Sequence, residues 1–217
     1  MLCSLTGTLF LYQGQEIGMI NVPRSWPIEH YRDIESVNFY KTMAEQSNND
    51  PAELEYVMRS LQILGRDNAR LPMQWSGGKH AGFTDCEEGP WMRVHDLYGE
   101  INVERQVREG EGSVLGFWKR MIKFRKEHAE VLVHGAFEGF GMEDEKTFVF
   151  GKRAEEKRAV VVLNFSGEEQ EVELPGYEGL VFAIGSYDDA AKEEDGAEGK
   201  VRKLRPWEGR LYLAREA

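Results

Sequence analysis

The chain has 217 residues, 41% of them hydrophobic, and a formal net charge of −11. That is enough for one or two domains with a core, yet short of the ~250 residues of a typical (β/α)8 barrel. The acidic balance argues against nucleic acid or an anionic membrane surface as partner, since both need a basic face.

Leu9, Phe10, Leu11 and Tyr12 form a nearly continuous apolar run between Gly7 and Gly14, the pattern of a strand buried on both faces. Gln13, Gln15 and Glu16 put polar groups where the run ends. From Pro27 to Gln46, Ile28, Tyr31, Ile34, Val37 and Tyr40 recur every three residues, with Phe39 and Met43 widening the stripe, and a helix is expected. Asn48-Asn49-Asp50-Pro51 interrupts it. Asp50 suits an N-cap and Pro51 the first position of a second helix, which carries Leu54, Val57, Met58, Leu61 and Leu64 and ends near Gly65. Arg70 to Tyr98 has little periodicity and is rich in glycine, with Pro72, Pro90 and two tryptophans, Trp75 and Trp91, read as core aromatics. An irregular segment of this length tends to pack over something or to line a site. Ser113 to Glu127 is the clearest amphipathic helix. Val114, Phe117, Trp118, Met121 and Ile122 form its apolar face, and basic residues gather towards its C-terminal end, as the helix dipole favours.

After His128 the pattern turns to strands: Thr147 to Lys152, Ala159 to Phe165, Gln170 to Leu174, Leu180 to Ile184 and Leu211 to Leu213. Ala154-Glu155-Glu156-Lys157 reads as the hairpin turn between the first two. The acidic stretch Asp188 to Glu198 reads as a surface insertion. Cys3 and Cys86 are distant and outside any C-x-x-C pattern, which excludes a disulfide framework and a zinc ribbon and fits a reducing, cytoplasmic setting. His30, His80, His95, His128 and His134 show no metal-ligand spacing, so no metal is expected. No apolar run reaches the ~20 residues of a membrane span, and Met1 to Leu11 lacks the basic region and cleavage site of a signal peptide. Asn164-Phe165-Ser166 matches a glycosylation sequon but reads as a strand end.

Two stretches carry a resemblance: Gly7-Thr8-Leu9-Phe10-Leu11-Tyr12-Gln13-Gly14-Gln15-Glu16-Ile17-Gly18-Met19 and Arg66-Asp67-Asn68-Ala69-Arg70-Leu71-Pro72-Met73-Gln74-Trp75. Together they closely resemble the α-glucosidase and oligo-1,6-glucosidase branch of glycoside hydrolase family 13, in its order and at about its spacing. The resemblance runs from Met1 to about Leu213. It implies an α/β plus β fold: the C-terminal remnant of a (β/α)8 TIM barrel (residues 1–129: last strand, insertions, last helix) followed by an antiparallel β-sandwich domain (130–217). The implied activity is that of a retaining α-glucosidase on terminal α-1,4 or α-1,6 bonds of maltose, isomaltose, sucrose or short oligosaccharides, with no cofactor.

Retaining glycosidases use two carboxyl groups about 5–5.5 Å apart. In this family those groups, and a sugar-binding Asp in an Asn-His-Asp motif, lie after earlier barrel strands. The chain has no Asn-His-Asp; its nearest echo, His95-Asp96, lies in the irregular segment. No catalytic carboxylate is therefore expected, and Met1 falls where the family has the end of the seventh barrel helix. The N-terminal barrel would be the missing partner, and the chain would be inactive alone. The alternative is a noncatalytic β-sandwich module for sugar binding or protein interaction. Position by position, Gln13, Gln15 and Glu16 match the loop after the last barrel strand, with Gln15 where the family often has Glu. Arg66 matches an arginine at the active-site rim; its five fixed donors suit vicinal hydroxyls or a carboxylate. Glu35 matches an acidic position facing the outer sugar subsite. Asp67 and Arg70 match residues that hold the turn, and Leu71 stands where the family usually has Thr. On residues alone, Arg66 reads as a charge partner for a helix end and Glu35 as a solvated helix residue.

Overall fold

A computed structural model describes residues 1–176, 178–187, 189–194 and 199–214, the last two of the 189–194 stretch as backbone only. The chain forms two compact units, residues 11–116 and residues 1–10 together with 117–217.

The first unit is helical and irregular. The helix expected from Pro27 starts later: Ile28–His30 is a separate 3-10 turn, and helix α1 spans Ile34–Gln46. The delay follows from Asp33, whose Oδ2 accepts from the Ser36 N–H at 3.2 Å and the Ser36 hydroxyl at 3.1 Å, capping the first turn. Helix α2, Pro51–Leu64, begins as expected, with Asp50 Oδ1 accepting from the N–H groups of Ala52 (2.9 Å) and Glu53 (3.2 Å). Val57 and Leu61 of α2 pack with Val22, Trp26, Tyr31, Leu71 and Met92 in the core of this unit. Each such side chain stabilises by about 1.5–3 kcal/mol through its removal from water.

Residues 70–98 are irregular, held by local turns at Lys79–Gly82 and Asp96–Gly99. In the first turn His80 and Ala81 are left-handed, at φ 52° and 57°, and the Ala81 carbonyl accepts from the N–H groups of both Trp75 and Ser76. Trp75 and Trp91 are exposed rather than core. A short helix the pattern did not announce, α3, spans Val103–Glu109 under an Asn102 cap. Its buried Gln106 donates to the Ile17 carbonyl at 2.7 Å and accepts from the Leu115 N–H at 2.9 Å, so it ties α3 to the Gln15–Ile17 turn and to residue 115.

The expected strand Leu9–Tyr12 is absent. No described residue pairs with it, and Phe10 is 83% exposed. A parallel strand exists only through its neighbours' hydrogen bonds, and an apolar run without them stays irregular.

Among its described residues the second unit contains nearly all of helix α4, Val114–Glu127, then α5, Ala129–Leu132, and seven strands: β1 Ala136–Phe140, β2 Thr147–Ala154, β3 Lys157–Asn164, β4 Gln170–Glu173, β5 Leu180–Gly185, β6 Val201–Leu204 and β7 Gly209–Ala214. Five strands form one antiparallel sheet in the order β1-β2-β3-β7-β5, and β4 pairs with β6. The β2–β3 turn is Glu155-Glu156, with Ala154 opposite Lys157 and Glu155 at φ 52°.

Strand β3 shows why its apolar run is continuous. Ala159, Val161 and Leu163 face the cluster with Met121, Val131 and Leu132 of the helices. Val160 and Val162 face the cluster with Val172 and Leu204 of the two-stranded sheet. With a side-chain period of two, a strand covered on both faces is apolar throughout. The antiparallel strands expected after His128 are thus present, with β1 and β6 added. Of the acidic stretch, helix α6 covers Ala190–Glu194; residues 188 and 195–198 lie outside the described residues.

Buried charge holds this unit together in two places. Glu208 and Arg210 pair at 2.8 Å with almost no exposure. Arg125 of α4 instead donates to three carbonyls, those of Cys3 and Leu5 at 2.7 Å and of Gly7 at 2.6 Å. Beside it, Lys152 of β2 is buried and donates to the Thr6 hydroxyl and, at 2.6 Å, to the Gly135 carbonyl. Burial, then the Arg125 charge, pushes the Lys152 ammonium below its ordinary range. At the end of β3, the Asn164 amide donates to the carbonyls of Glu168 (2.7 Å) and Arg205 (2.9 Å).

Candidate functional site

The site is built on Asp67, which is fully buried. Its Oδ2 accepts from the N–H groups of Arg32 (2.9 Å) and Asp33 (3.0 Å). These bonds fasten the start of α1 to the turn Arg66–Ala69. Residues distant in sequence are thereby brought together: Arg66 Nη2 lies 3.0 Å from Glu35 Oε2, and Arg66 Nη1 lies 3.9 Å from Asp33 Oδ1. Arg70 donates to the same Asp33 Oδ1 at 3.0 Å.

Burial works to raise the Asp33 pKa, but the Ser36 N–H and hydroxyl and the Arg70 guanidinium hold it below the ordinary carboxylate value. Burial, followed by the Asp67 charge, pushes the neighbouring Tyr31 phenol up to about 12. Arg66 and Glu35 are 58% and 68% exposed, so their pair contributes only about 0–1 kcal/mol of stability. The pair sets a guanidinium of the turn beside a carboxylate of α1 at the solvent-exposed surface.

Next to this turn is a cavity of about 110 Å³ lined by Tyr12, Gln13, Gln15, Asn21, Asn68 and Leu71, among others. Gln15 Oε1 accepts from the Tyr12 N–H at 3.0 Å, and the Tyr12 hydroxyl donates to the Ala69 carbonyl. Asn68 accepts from the Val22 N–H and donates to the Gln62 carbonyl, both at 3.0 Å. The structure thus joins Gln13 and Gln15 to the turn that carries Arg66, and joins Arg66 to Glu35. Glu16 is not part of the cavity wall; its Oε2 is buried and has no hydrogen-bond partner among the described residues. Leu71 is buried in the helical core.

The sequence reading missed Tyr12, Asn68 and Asp33 as the residues that position this set. The Asp33–Ser36 spacing was a capping signal that could have placed α1; nothing local announced the other two. Among the described residues no three His, Cys, Asp or Glu side chains are grouped to hold a metal ion. The arrangement offers paired donors and acceptors to a polyhydroxylated ligand.

Residues 1–135 match the family model described as the α-amylase catalytic domain. An α-glucosidase of Candida albicans is 42% identical over 217 residues, covering 97% of this chain and 36% of that protein. An oligo-1,6-glucosidase of Halalkalibacterium halodurans is 39% identical, covering 99% of this chain and 36% of that protein. Among solved structures, trehalose-6-phosphate hydrolase of Bacillus licheniformis superposes with a TM-score of 0.84 at 30% identity, covering 98% of this chain and 37% of that one. The comparisons place the chain in a family of glycoside hydrolases. This chain belongs to the α-amylase family, glycoside hydrolase family 13. It spans about a third of the length of the curated relatives it matches.

Proposed function

We infer that this chain supplies the sugar-rim turn and the C-terminal β domain of a retaining α-glucosidase acting on terminal α-1,4 or α-1,6 bonds of short oligosaccharides. The observation that carries the reading is the Arg66–Glu35 pair at 3.0 Å, oriented by buried Asp67 and exposed to solvent. It is supported by 36–42% identity to proteins named α-glucosidase and oligo-1,6-glucosidase. In this reading residues 1–129 belong to the catalytic barrel and 130–217 to the β domain, and the protein works in the cytoplasm. The two free cysteines are compatible with that compartment.

The chemistry divides between this chain and the preceding barrel. The nucleophile and the acid/base belong to the barrel strands that carry the family's carboxylates. Arg66 donates to hydroxyls of the sugar beyond the scissile bond and Glu35 accepts from them, which fixes the leaving group in line for protonation. Gln13 and Gln15 line the adjacent wall. The test is a chimera that joins this chain to the upstream barrel of the Candida relative, assayed with p-nitrophenyl α-glucoside, maltose and isomaltose. Activity in the chimera, with a KM or kcat/KM penalty on the disaccharides for Arg66→Ala and Glu35→Gln, supports the reading. A folded, active chimera indifferent to both substitutions refutes the role of the pair.

A further inference from the structure

Within the first unit, the segment from Asn21 to His30 is fastened to Arg93–Leu97 by a compact set of polar contacts. His95 Nε2 donates to the Asn21 carbonyl at 3.1 Å, and His95 Nδ1 accepts from the Leu97 N–H at 3.1 Å. Arg93 Nη1 donates to His30 Nδ1 at 2.9 Å. Trp26 Nε1 donates to Asp96 Oδ2 at 3.0 Å, and Arg93 also donates to Asp96 Oδ1. The Arg93 guanidinium lies 4.8 Å over the Trp26 ring, and the His30 ring meets that indole edge-on at 5.6 Å.

A backbone N–H only donates, and a backbone carbonyl only accepts. His95 Nδ1 must therefore present a lone pair while Nε2 carries the proton, an arrangement found only in a neutral imidazole. We propose that His95 forms an acid-sensitive staple, fastening Asn21–His30 to Arg93–Leu97 while its ring is neutral and releasing it when the ring takes up a proton.

The groups around the ring decide the direction. A proton on His95 Nδ1 would oppose the Leu97 N–H inside a site where the ring is 2% exposed. Asp96 is the acidic group of the cluster, and it is already engaged by Arg93 and Trp26. Burial first, and the Arg93 charge, lower the His95 pKa against the opposing pull of the Asn21 carbonyl and Asp96. An unfolded histidine takes its proton near pH ~6.5. Between that value and the lower folded one, the opened state binds more protons, so the staple weakens as pH falls. Asn21 also lines the cavity beside Gln13 and Gln15, so release reaches the candidate sugar site; that last consequence rests on the proposed function.

Hydrogen exchange of the chain, read by mass spectrometry at about pH 7.5 and about pH 5.5 and corrected for the intrinsic rate, tests the staple. Protection of residues 21–31 and 93–97 should fall by about tenfold, the equivalent of one unit of proton linkage, while residues 159–163 of β3 keep theirs. His95→Gln keeps a donor towards the Asn21 carbonyl without titration, and should remove the pH dependence. Ring protonation followed by NMR in the unaltered chain provides a readout that does not depend on the variant folding. Loss of protection in step with ring protonation supports the staple. It is overturned if the His95 ring titrates with no local loss, if β3 loses protection equally, or if a folded His95→Gln variant keeps the dependence. None of these readouts involves sugar turnover, so a failed Arg66 assay leaves them intact.

Discussion

Replacing Asp67 by alanine should loosen both the first unit and the candidate site. The carboxylate is fully buried and accepts from two backbone N–H groups, those of Arg32 and Asp33. Hydrogen bonds to a charged acceptor contribute about 1.5–3 kcal/mol each, and an orphaned buried donor costs about 1–3 kcal/mol. The Asp33 N–H is buried and the Arg32 N–H only partly so, so water rescues one of the two. The net loss should be about 2–4 kcal/mol, a fall in Tm of roughly 4–16 °C for a protein of this size. Asp67→Asn keeps one acceptor oxygen and should lose about half as much. Thermal unfolding followed by circular dichroism measures both. A Tm within about 2 °C of the parent for Asp67→Ala would refute the view that this carboxylate fastens α1 to the Arg66 turn.

Further outcomes follow from other sites. In the chimera, Arg66→Ala should lower kcat/KM on maltose by about tenfold to a hundredfold, the equivalent of a charged hydrogen bond to substrate. Arg70→Ala, which removes the 3.0 Å bond to Asp33, should act on Tm instead; equal kcat/KM losses would contradict the division. The chain by itself should release no p-nitrophenol from p-nitrophenyl α-glucoside above the buffer rate. Expressed through a secretory pathway, Asn164 should stay unglycosylated once folded, because its amide is buried and donating to the Glu168 and Arg205 carbonyls; mass spectrometry decides. Burial opposes ionisation of Glu208, yet Arg210 and Arg205 hold its pKa below 4.5. Its contribution to stability is therefore complete above about pH 4.5 and lost as pH falls through the lower folded value. Urea midpoints between about pH 5 and about pH 3 should drop less steeply in Glu208→Gln.

Local chemistry made several elements legible. The Asp50-Pro51 start of α2, the apolar face of α4 and the β2–β3 hairpin each rest on signals within a few residues. Other elements depend on distant partners. β6 has four residues and is mostly charged outward, so only its pairing with β4 makes it a strand. Leu9–Tyr12 has the composition of a buried strand and no neighbour to make it one. The late start of α1 was encoded in Asp33 and Ser36, but the apolar stripe through Ile28 and Tyr31 masked it. Nothing in the periodicity places Glu35 beside Arg66. That meeting depends on Asp67 binding backbone N–H groups, which any sequence possesses, and only the resemblance to a family pointed to it.

The contact of Arg125 with the carbonyls of Cys3, Leu5 and Gly7, while Lys152 takes the hydroxyl of Thr6, bears on which changes of length this segment tolerates. The guanidinium reads every second carbonyl, and the ammonium reads a side chain between them. A segment with no strand partner, held only by a 3-10 turn at Leu2–Ser4, would ordinarily slide or absorb an extra residue at little cost. Here a one-residue deletion between Leu5 and Gly7 would turn the wrong carbonyls towards Arg125 and remove Thr6 from Lys152, leaving two buried cations short of acceptors. Two side chains from α4 and β2 thus act as a ruler for an otherwise irregular stretch, and insertions or deletions should be rarer there than in the glycine-rich segment after Trp75.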